Sequence, residues 1–154
     1  MFSNTIKRLC LALLLSSSAQ VISTQALANN DEGFKPVNLD ELIQTSKPTY
    51  QGTVEILQFR KIKWQAEMAV MPDTMKTDYL METLSMMGVK PLPKVTQGML
   101  VQSESGKIQR VYVEDTVAED MRAMLKVGQK VLLYGYHAFN SKHGPGILVS
   151  GYDL

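Results

Sequence analysis

Apolar and polar residues alternate with a period of two in one long segment of the chain, which predicts a strand. In residues 62–70 the apolar side chains fall at every second position, and Lys, Gln or Glu residues separate most of them. One face of such a strand is buried and the other faces solvent. Residues 53–57 are also rich in strand-forming types. No Gly or Asn marks a tight turn near Phe59, so the pattern leaves open whether residues 50–70 form one bent strand or two.

A helical period appears just before this segment. Asn38 and Glu41 have the spacing of a capping box, in which each side chain satisfies a free backbone amide at the start of a helix. The apolar residues that follow have the i, i+3, i+4 spacing of one helix face. We therefore predict a short N-terminal helix over residues 39–45, which ends before Pro48.

Two further helices are predicted from apolar spacing and from end signals. Residues 73–87 carry a broad apolar stripe, and Gly88 follows as a left-handed cap. A third helix begins at a capping box formed by Thr116 and Glu119, and it ends just before Gly128.

Four more strands follow from alternation and turn residues, and they lie at residues 98–102, 108–113, 131–139 and 147–152. The first two form a hairpin around residues 103–106, and a loop at residues 140–146 joins the last two. The order strand, hairpin, helix, strand, loop, strand is that of an OB-fold, a five-stranded Greek-key barrel. We therefore predict a mainly β (α+β) domain with a helix inserted between the first two strands. An ordinary α+β domain on a mixed antiparallel sheet is the alternative.

The C-terminal part also carries a resemblance to a known group. Residues 127–136, with the sequence VGQKVLLYGY followed by a turn and a final strand, resemble the closing half of small exported bacterial OB-fold proteins. The resemblance is at the level of the fold and covers residues 50–152. It implies a ligand surface on one barrel face and on the loops between strands one and two and strands four and five. Three segments differ from the short members of this group, and they are the Trp64 strand, the inserted helix and the 140–146 loop.

The N-terminus has the three parts of a secretory signal peptide. Lys7 and Arg8 precede a short apolar run, and a small-x-small ending reaches Ala28, after which we expect cleavage. The run is too short for a membrane anchor. Cys10 lies at the start of the run, where it does not fit a lipoprotein signal. We expect a periplasmic protein, with secretion as the alternative, in which a flexible leader at residues 29–37 precedes a single domain at residues 38–154.

Composition and charge narrow the function after removal of the signal. The full chain has 154 residues, 16 Lys and Arg, 15 Asp and Glu, and one Cys. Without residues 1–28 its charge is −1 and it has no cysteine, which excludes thiol catalysis and zinc–thiolate sites. The remaining sequence has no other apolar stretch of membrane-spanning length. The near-neutral charge opposes nucleic-acid binding, and the cluster of Arg60, Lys61 and Lys63 beside Trp64 predicts only weak, salt-sensitive contacts.

The candidate binding residues lie around the predicted 140–146 loop, and they are Tyr134, Tyr136, His137, Lys142 and His143. Exposed His and Lys side chains favour an anionic or carbonyl-bearing partner, such as a protein or a cell-envelope ligand. The alternative is a hairpin loop in which the glycines supply turn angles and His143 is solvated. The predicted function is a non-enzymatic binding or accessory module without a cofactor.

Methionine provides a second hypothesis. Six of the ten methionines lie between residues 68 and 87. Thioethers bind soft Cu(I) and Ag(I), so the alternative function is a periplasmic copper or silver protein that uses Trp64, Met68 and Met71. Methionine is also an adaptable core residue, and that interpretation requires no metal.

Enzymatic motifs are missing from the sequence. It contains no G-x-S-x-G, H-E-x-x-H or P-loop motif and no Gly-rich dinucleotide turn. Ser141, His143 and Asp153 are the residue types of a catalytic triad, but a chain of this size offers such a trio by chance. We therefore predict that the protein is not an enzyme.

Overall fold

The described part of the chain is mainly β, with three helices attached to one six-stranded mixed sheet. A computed structural model describes residues 33–48 and 52–154. The predicted signal peptide and the first part of the leader lie outside the described residues. The strands are β1 (Lys35–Pro36), β2 (Glu55–Thr74), β3 (Gln97–Gln102), β4 (Ile108–Val113), β5 (Lys130–Ser141) and β6 (Gly144–Asp153). The helices are α1 (Leu39–Thr45), α2 (Asp78–Met86) and α3 (Asp115–Met124).

Five of the strands close into a ring. The strand order is β1-β2-β3-β4-β6-β5, and β2 also pairs with β5. The pairs within the ring are antiparallel except β4 with β6, where Tyr112 and Val113 lie parallel to Leu148 and Val149. Each strand of the ring therefore has two neighbours, which satisfies backbone groups that a sheet edge would leave free.

The segment around Trp64 forms a single long strand, which decides the question that the sequence left open. β2 has 20 residues. Its first two-thirds pair with β5, and its last third pairs with β3. Register shifts occur between Ile56 and Arg60 and again between Met68 and Asp73. Because bulges bend a strand and increase its twist, they let one strand serve both neighbours.

The prediction for the second helix is wrong at its N-terminal end. Residues 73 and 74 belong to β2 and pair with Gly98 and Gln97, so α2 begins only at Asp78. Strand pairing therefore overrides the helix-start signal of the sequence. The C-terminal signal is confirmed, because Gly88 follows the helix with a φ of 74°.

The capping predictions have different outcomes for the other two helices. Asn38 Oδ1 accepts a hydrogen bond from the Glu41 amide at 3.2 Å, which confirms the start of α1. The Thr116 capping box is wrong, because α3 already begins at Asp115. The Asp115 carboxylate accepts hydrogen bonds from the amide and hydroxyl of Thr96. Thr96, which lies outside the helix, thus fixes where the helix starts. α3 ends at Met124, before the predicted end.

The predicted 140–146 loop is wrong as well. β5 continues to Ser141 and β6 begins at Gly144, so a two-residue turn of Lys142 and His143 connects them. Gly144 has a φ of 102°, a conformation that L side chains rarely adopt. The glycines of this segment thus extend a hairpin and do not form a long loop.

The main core fills the ring. Alternate residues of β2 point inward, as the period-two pattern predicts, and Trp64 is only 1% exposed. Helices α1 and α3 contribute Leu39, Leu42, Ala118 and Met121 to the same cluster. A second cluster lies where α2 packs against the ring, and it contains Leu80, Leu84, Val95, Ala138, Phe139 and Leu148.

Part of the predicted leader lies against the sheet. β1 pairs in parallel with Ile62 and Lys63 of β2. The Phe34 ring lies 5.4 Å from the Tyr134 ring and 6.0 Å from the Tyr136 ring, measured between centroids. Among the described residues, no helix has the length and apolar character needed to cross a membrane.

Candidate functional site: a groove across three strands

A groove of about 710 Å³ crosses the face of β2, β3 and β4. The residues before α2 and its first turn form one wall, with Met75, Lys76 and Tyr79. The end of the β5–β6 hairpin forms the opposite side, with Ser141 and His143. The groove therefore lies between two connections of the ring, with strands as its floor.

The floor is built from side chains in neighbouring strand positions. Val70 pairs with Leu100 and Leu100 pairs with Arg110, so the three side chains form a row across the strands. Val70 is 46% exposed, which is unusual for a valine in the middle of a sheet. Gly98 lies two positions before Leu100 on the same strand, and the Met75 thioether lies beside it. A side chain at position 98 would displace Met75.

One wall of the groove is aromatic. The Tyr79 and Phe139 rings meet edge to face with centroids 4.9 Å apart, and Tyr112 lies 6.3 Å from Phe139. The Phe139 ring packs directly on Gly146, where a Cβ would clash with it. Burial raises the pKa of the Tyr112 hydroxyl, and the positive charge of Arg110 acts in the opposite direction. The phenol therefore stays protonated at neutral pH and is able to donate a hydrogen bond.

The charges that line the groove are mostly positive. Arg110 and Lys76 bring two fixed positive charges, whereas Asp73 brings one negative charge. The Asp73 carboxylate accepts a hydrogen bond from the adjacent Thr74 amide at 2.7 Å. His143 adds an exposed imidazole at the rim. The groove thus combines an apolar and aromatic surface with a positive potential.

The five predicted binding residues do not come together in one site. His143 lines the groove, and Lys142 lies beside it on the exposed turn. Tyr134 is buried and donates a hydrogen bond from its hydroxyl to Asp153 at 2.6 Å. Tyr136 packs against Phe34 and Phe59, away from the groove.

His137 is 1% exposed and belongs to a directional chain of hydrogen bonds. Arg60 donates to Nδ1 of His137 at 2.9 Å, and because Arg has no acceptor, Nδ1 must be the unprotonated nitrogen. Nε2 therefore carries the proton and donates to Asn140 Oδ1 at 2.7 Å. Asn140 donates in turn to Glu55 at 3.1 Å. Burial lowers the pKa of His137, and Arg60 acts in the same direction, while the hydrogen bond to Asn140 opposes them.

The residues of the metal hypothesis have different environments. Trp64 and Met68 lie in the core of the ring, and Met71 lines the groove. Met75 also lines the groove, whereas Met99 beneath its floor is 2% exposed and belongs to the main core. No group of three or more His, Cys, Asp and Glu residues suited to a metal ion occurs in residues 33–48 and 52–154.

The catalytic trio is not assembled. Ser141 lies next to the turn of the β5–β6 hairpin, whereas Asp153 pairs with Leu132 at the opposite end. Asp153 accepts the Tyr134 hydrogen bond there. No step of triad chemistry follows from these positions.

Most residues of the groove were not among those predicted from the sequence. Leu100, Arg110 and Tyr112 alternate with the inward-facing residues of β3 and β4, so the period of two places them on the outer face. An apolar residue, a cation and an aromatic ring on one outward face are the signal that would have identified this surface.

The protein is thus a mainly β domain with a ligand-sized groove on the outside of a closed ring of strands. No protein-family model matches the chain, and a search of the curated proteins finds no significant match.

Proposed function

We propose that this protein is a non-enzymatic binding module with an OB-fold, and that its ligand lies in the groove across β2, β3 and β4. The ring order, the parallel β4–β6 pair and the position of α3 between β4 and β5 support this fold. OB-folds bind their ligands on the outer face of the second and third strands and on two adjoining loops. The groove has the same location, and this is the observation that carries the proposal.

The lining of the groove favours an extended ligand with an apolar or planar body and an anionic or carbonyl group. Val70 and Leu100 offer apolar area, and Tyr79 and Tyr112 offer rings for stacking. Arg110 binds carboxylates and phosphates with two parallel hydrogen bonds. A protein segment or a cell-envelope component in the periplasm, where the predicted signal peptide would deliver the chain, has this chemistry.

Substitution of Arg110 tests this proposal. The wild-type protein and the variants Arg110→Gln and Lys126→Gln are immobilised, and an envelope extract is passed over each. Lys126→Gln is the matched control because it removes one positive charge from an exposed position outside the groove lining. We expect the captured ligand to fall at least about tenfold with Arg110→Gln and to be unchanged with Lys126→Gln, as measured by mass spectrometry. Equal capture by the two variants would show that the groove is not the binding surface.

Binding of Cu(I) or Ag(I) is the second candidate. It is supported by the shared lining of the groove, in which Met71 and Met75 occur together with His143. Thioethers and imidazole are ligands for soft metal ions. An anaerobic Cu(I) titration tests this candidate, since stoichiometric uptake that is lost in Met71→Leu/Met75→Leu would favour it. Failure to bind one equivalent would eliminate it.

A further inference from the structure

A second pocket, of about 380 Å³, lies outside the ring and away from the groove. It is bounded by α2, by the Pro91 and Pro93 segment, by the residue before α3, and by β5 and β6. Its walls are apolar except at two residues, Glu114 and Tyr136. None of its lining residues also lines the groove, so a ligand here would be independent of the proposed groove ligand.

Among the described residues that line this pocket, Glu114 alone carries a charge. Its backbone amide donates to Val149 at 3.1 Å, but its carboxylate has no hydrogen bond or ion pair with any residue that the structure describes. The Lys94 ammonium lies 3.7 Å from the carboxylate of the neighbouring Asp115. Burial raises the pKa of the Glu114 carboxyl, because an apolar environment disfavours its charged form. The N-terminus of α3 favours a negative charge at Glu114, and a half-buried carboxylate without a side-chain partner is able to take a cation beside it.

Aromatic rings lie on the same pocket. The rings of Phe59 and Tyr136 meet edge to face, with centroids 5.4 Å apart, and both line the pocket. Aromatic faces attract cations, and this attraction is strongest when the cation is desolvated. A carboxylate combined with aromatic and apolar walls is the chemistry that recognises an organic cation.

The scarcity of hydrogen-bond acceptors narrows the class of cation. The carboxylate of Glu114 and the hydroxyl of Tyr136 are the only polar side-chain groups in the lining. A guanidinium would leave about two or more of its five N–H donors without a side-chain acceptor in such a pocket, and a primary ammonium would need every side-chain acceptor atom at once. A quaternary ammonium has no N–H group and therefore loses no hydrogen bonds on entry.

We propose that this pocket binds a quaternary ammonium group, with the cation against Glu114 and the rings of Phe59 and Tyr136. The group belongs either to a free small molecule or to a lipid headgroup. Both present the same trimethylated nitrogen to the pocket.

Choline is a suitable probe, and 3,3-dimethyl-1-butanol is its neutral isostere. Each is titrated into ¹⁵N-labelled protein and followed by NMR. We expect choline to shift the amide signals of Val89, Glu114 and Tyr136 in a saturable manner, while the neutral alcohol binds at least about tenfold more weakly. Equal affinity for the two probes would overturn the proposal, and so would choline-dependent shifts confined to the groove residues Leu100 and Arg110.

Two variants separate the role of the charge from the role of the rings. Glu114→Gln keeps the size of the side chain, and we expect it to weaken choline binding at least about tenfold. Glu119→Gln removes the same charge from an exposed position on α3 and should leave the affinity unchanged. Phe59→Leu retains an apolar wall without the ring and should weaken choline more than the neutral alcohol. Unchanged binding in Glu114→Gln that retains the wild-type melting temperature would refute the proposal.

Vesicles identify the source of the cation once choline binds. Co-sedimentation with phosphatidylcholine vesicles, but not with phosphatidylglycerol vesicles, and its loss in Glu114→Gln would indicate a lipid headgroup. Choline binding without co-sedimentation would indicate a free small molecule. The groove variant Arg110→Gln should bind choline normally, so failure of the groove proposal and failure of this one are distinguishable.

Discussion

At the scale of single residues, internal hydrogen bonds hold the side chains of His137 and Tyr134 in the fold. His137 was expected on a ligand surface, yet it lies inside the ring with both ring nitrogens occupied. Tyr134 is buried in the same way through its bond to Asp153. Residue type alone does not reveal this, because the partners Arg60 of His137 and Asp153 of Tyr134 lie 77 and 19 residues away in the chain. His143 and Lys142 lie exposed at the tip of the hairpin, as expected, and His143 lines the groove.

The burial of His137 predicts a pH-dependent stability. Its pKa is lowered in the folded protein, so the unfolded chain binds the proton more tightly and protonation favours unfolding. The contribution to the free energy of unfolding is complete above the unfolded pKa of about 6.5, and it is lost as the pH falls through the lower pKa of the folded state. We expect the free energy of unfolding, measured with urea, to fall as the pH is lowered below about 6.5. His137→Gln should make this free energy less dependent on pH.

The exposed histidine is the control for this measurement. His143→Gln should retain the wild-type dependence of stability on pH, because the His143 side chain is exposed on the turn. The same dependence on pH in His137→Gln and wild type would show that protonation of His137 is not linked to unfolding.

At the scale of elements, the periodic segments were predicted well and their junctions were not. The amphipathic pattern of residues 62–70, the β3–β4 hairpin and α1 are all confirmed. The β2–α2 junction was wrong because pairing with β3 extends the strand to Thr74. The start of α3 was wrong because Thr96, from a distant segment, binds Asp115. Distant partners of this kind decide where an element begins or ends, and local sequence signals do not contain them.

One contact between elements has a large electrostatic effect. Asp40 of α1 accepts hydrogen bonds from the hydroxyls of Ser103 and Ser105 in the β3–β4 turn, and Lys107 lies 3.7 Å away. The serine hydroxyls lower the pKa of Asp40 from 3.8 to about 2. The charged carboxylate therefore holds α1 against the turn.

Replacement of this carboxylate should reduce stability in a pH-dependent manner. The contribution of Asp40 is present above its unfolded pKa of about 4 and is lost as the pH falls to about 2. We expect Asp40→Asn to unfold at a lower urea concentration than wild type at pH 7, and the difference should shrink between pH 4 and pH 2. Glu82→Gln, at an exposed position of α2, should show no such difference. A constant difference across this range would contradict the assignment.

At the scale of the whole molecule, closure of the ring brings the groove walls together. β2 binds β5 through one part of its length and β3 through another, so the β5–β6 turn comes close to the start of α2. The sequence predicted a mainly β fold and an inserted helix, both of which the structure shows. It did not predict the groove, because Val70 is distant in the chain from the hairpin pair Leu100 and Arg110 and joins it only across paired strands.

The central claim is that this groove is the ligand-binding surface, and photo-cross-linking tests it most directly. The photoreactive residue p-benzoylphenylalanine is introduced at the position of Leu100 on the groove floor, and at the position of Lys126 as an exposed control. Irradiation in cells followed by mass spectrometry identifies any adduct. We predict an adduct from position 100 that disappears when Arg110→Gln is added, and none of the same mass from position 126. An adduct from position 126 alone would contradict the account.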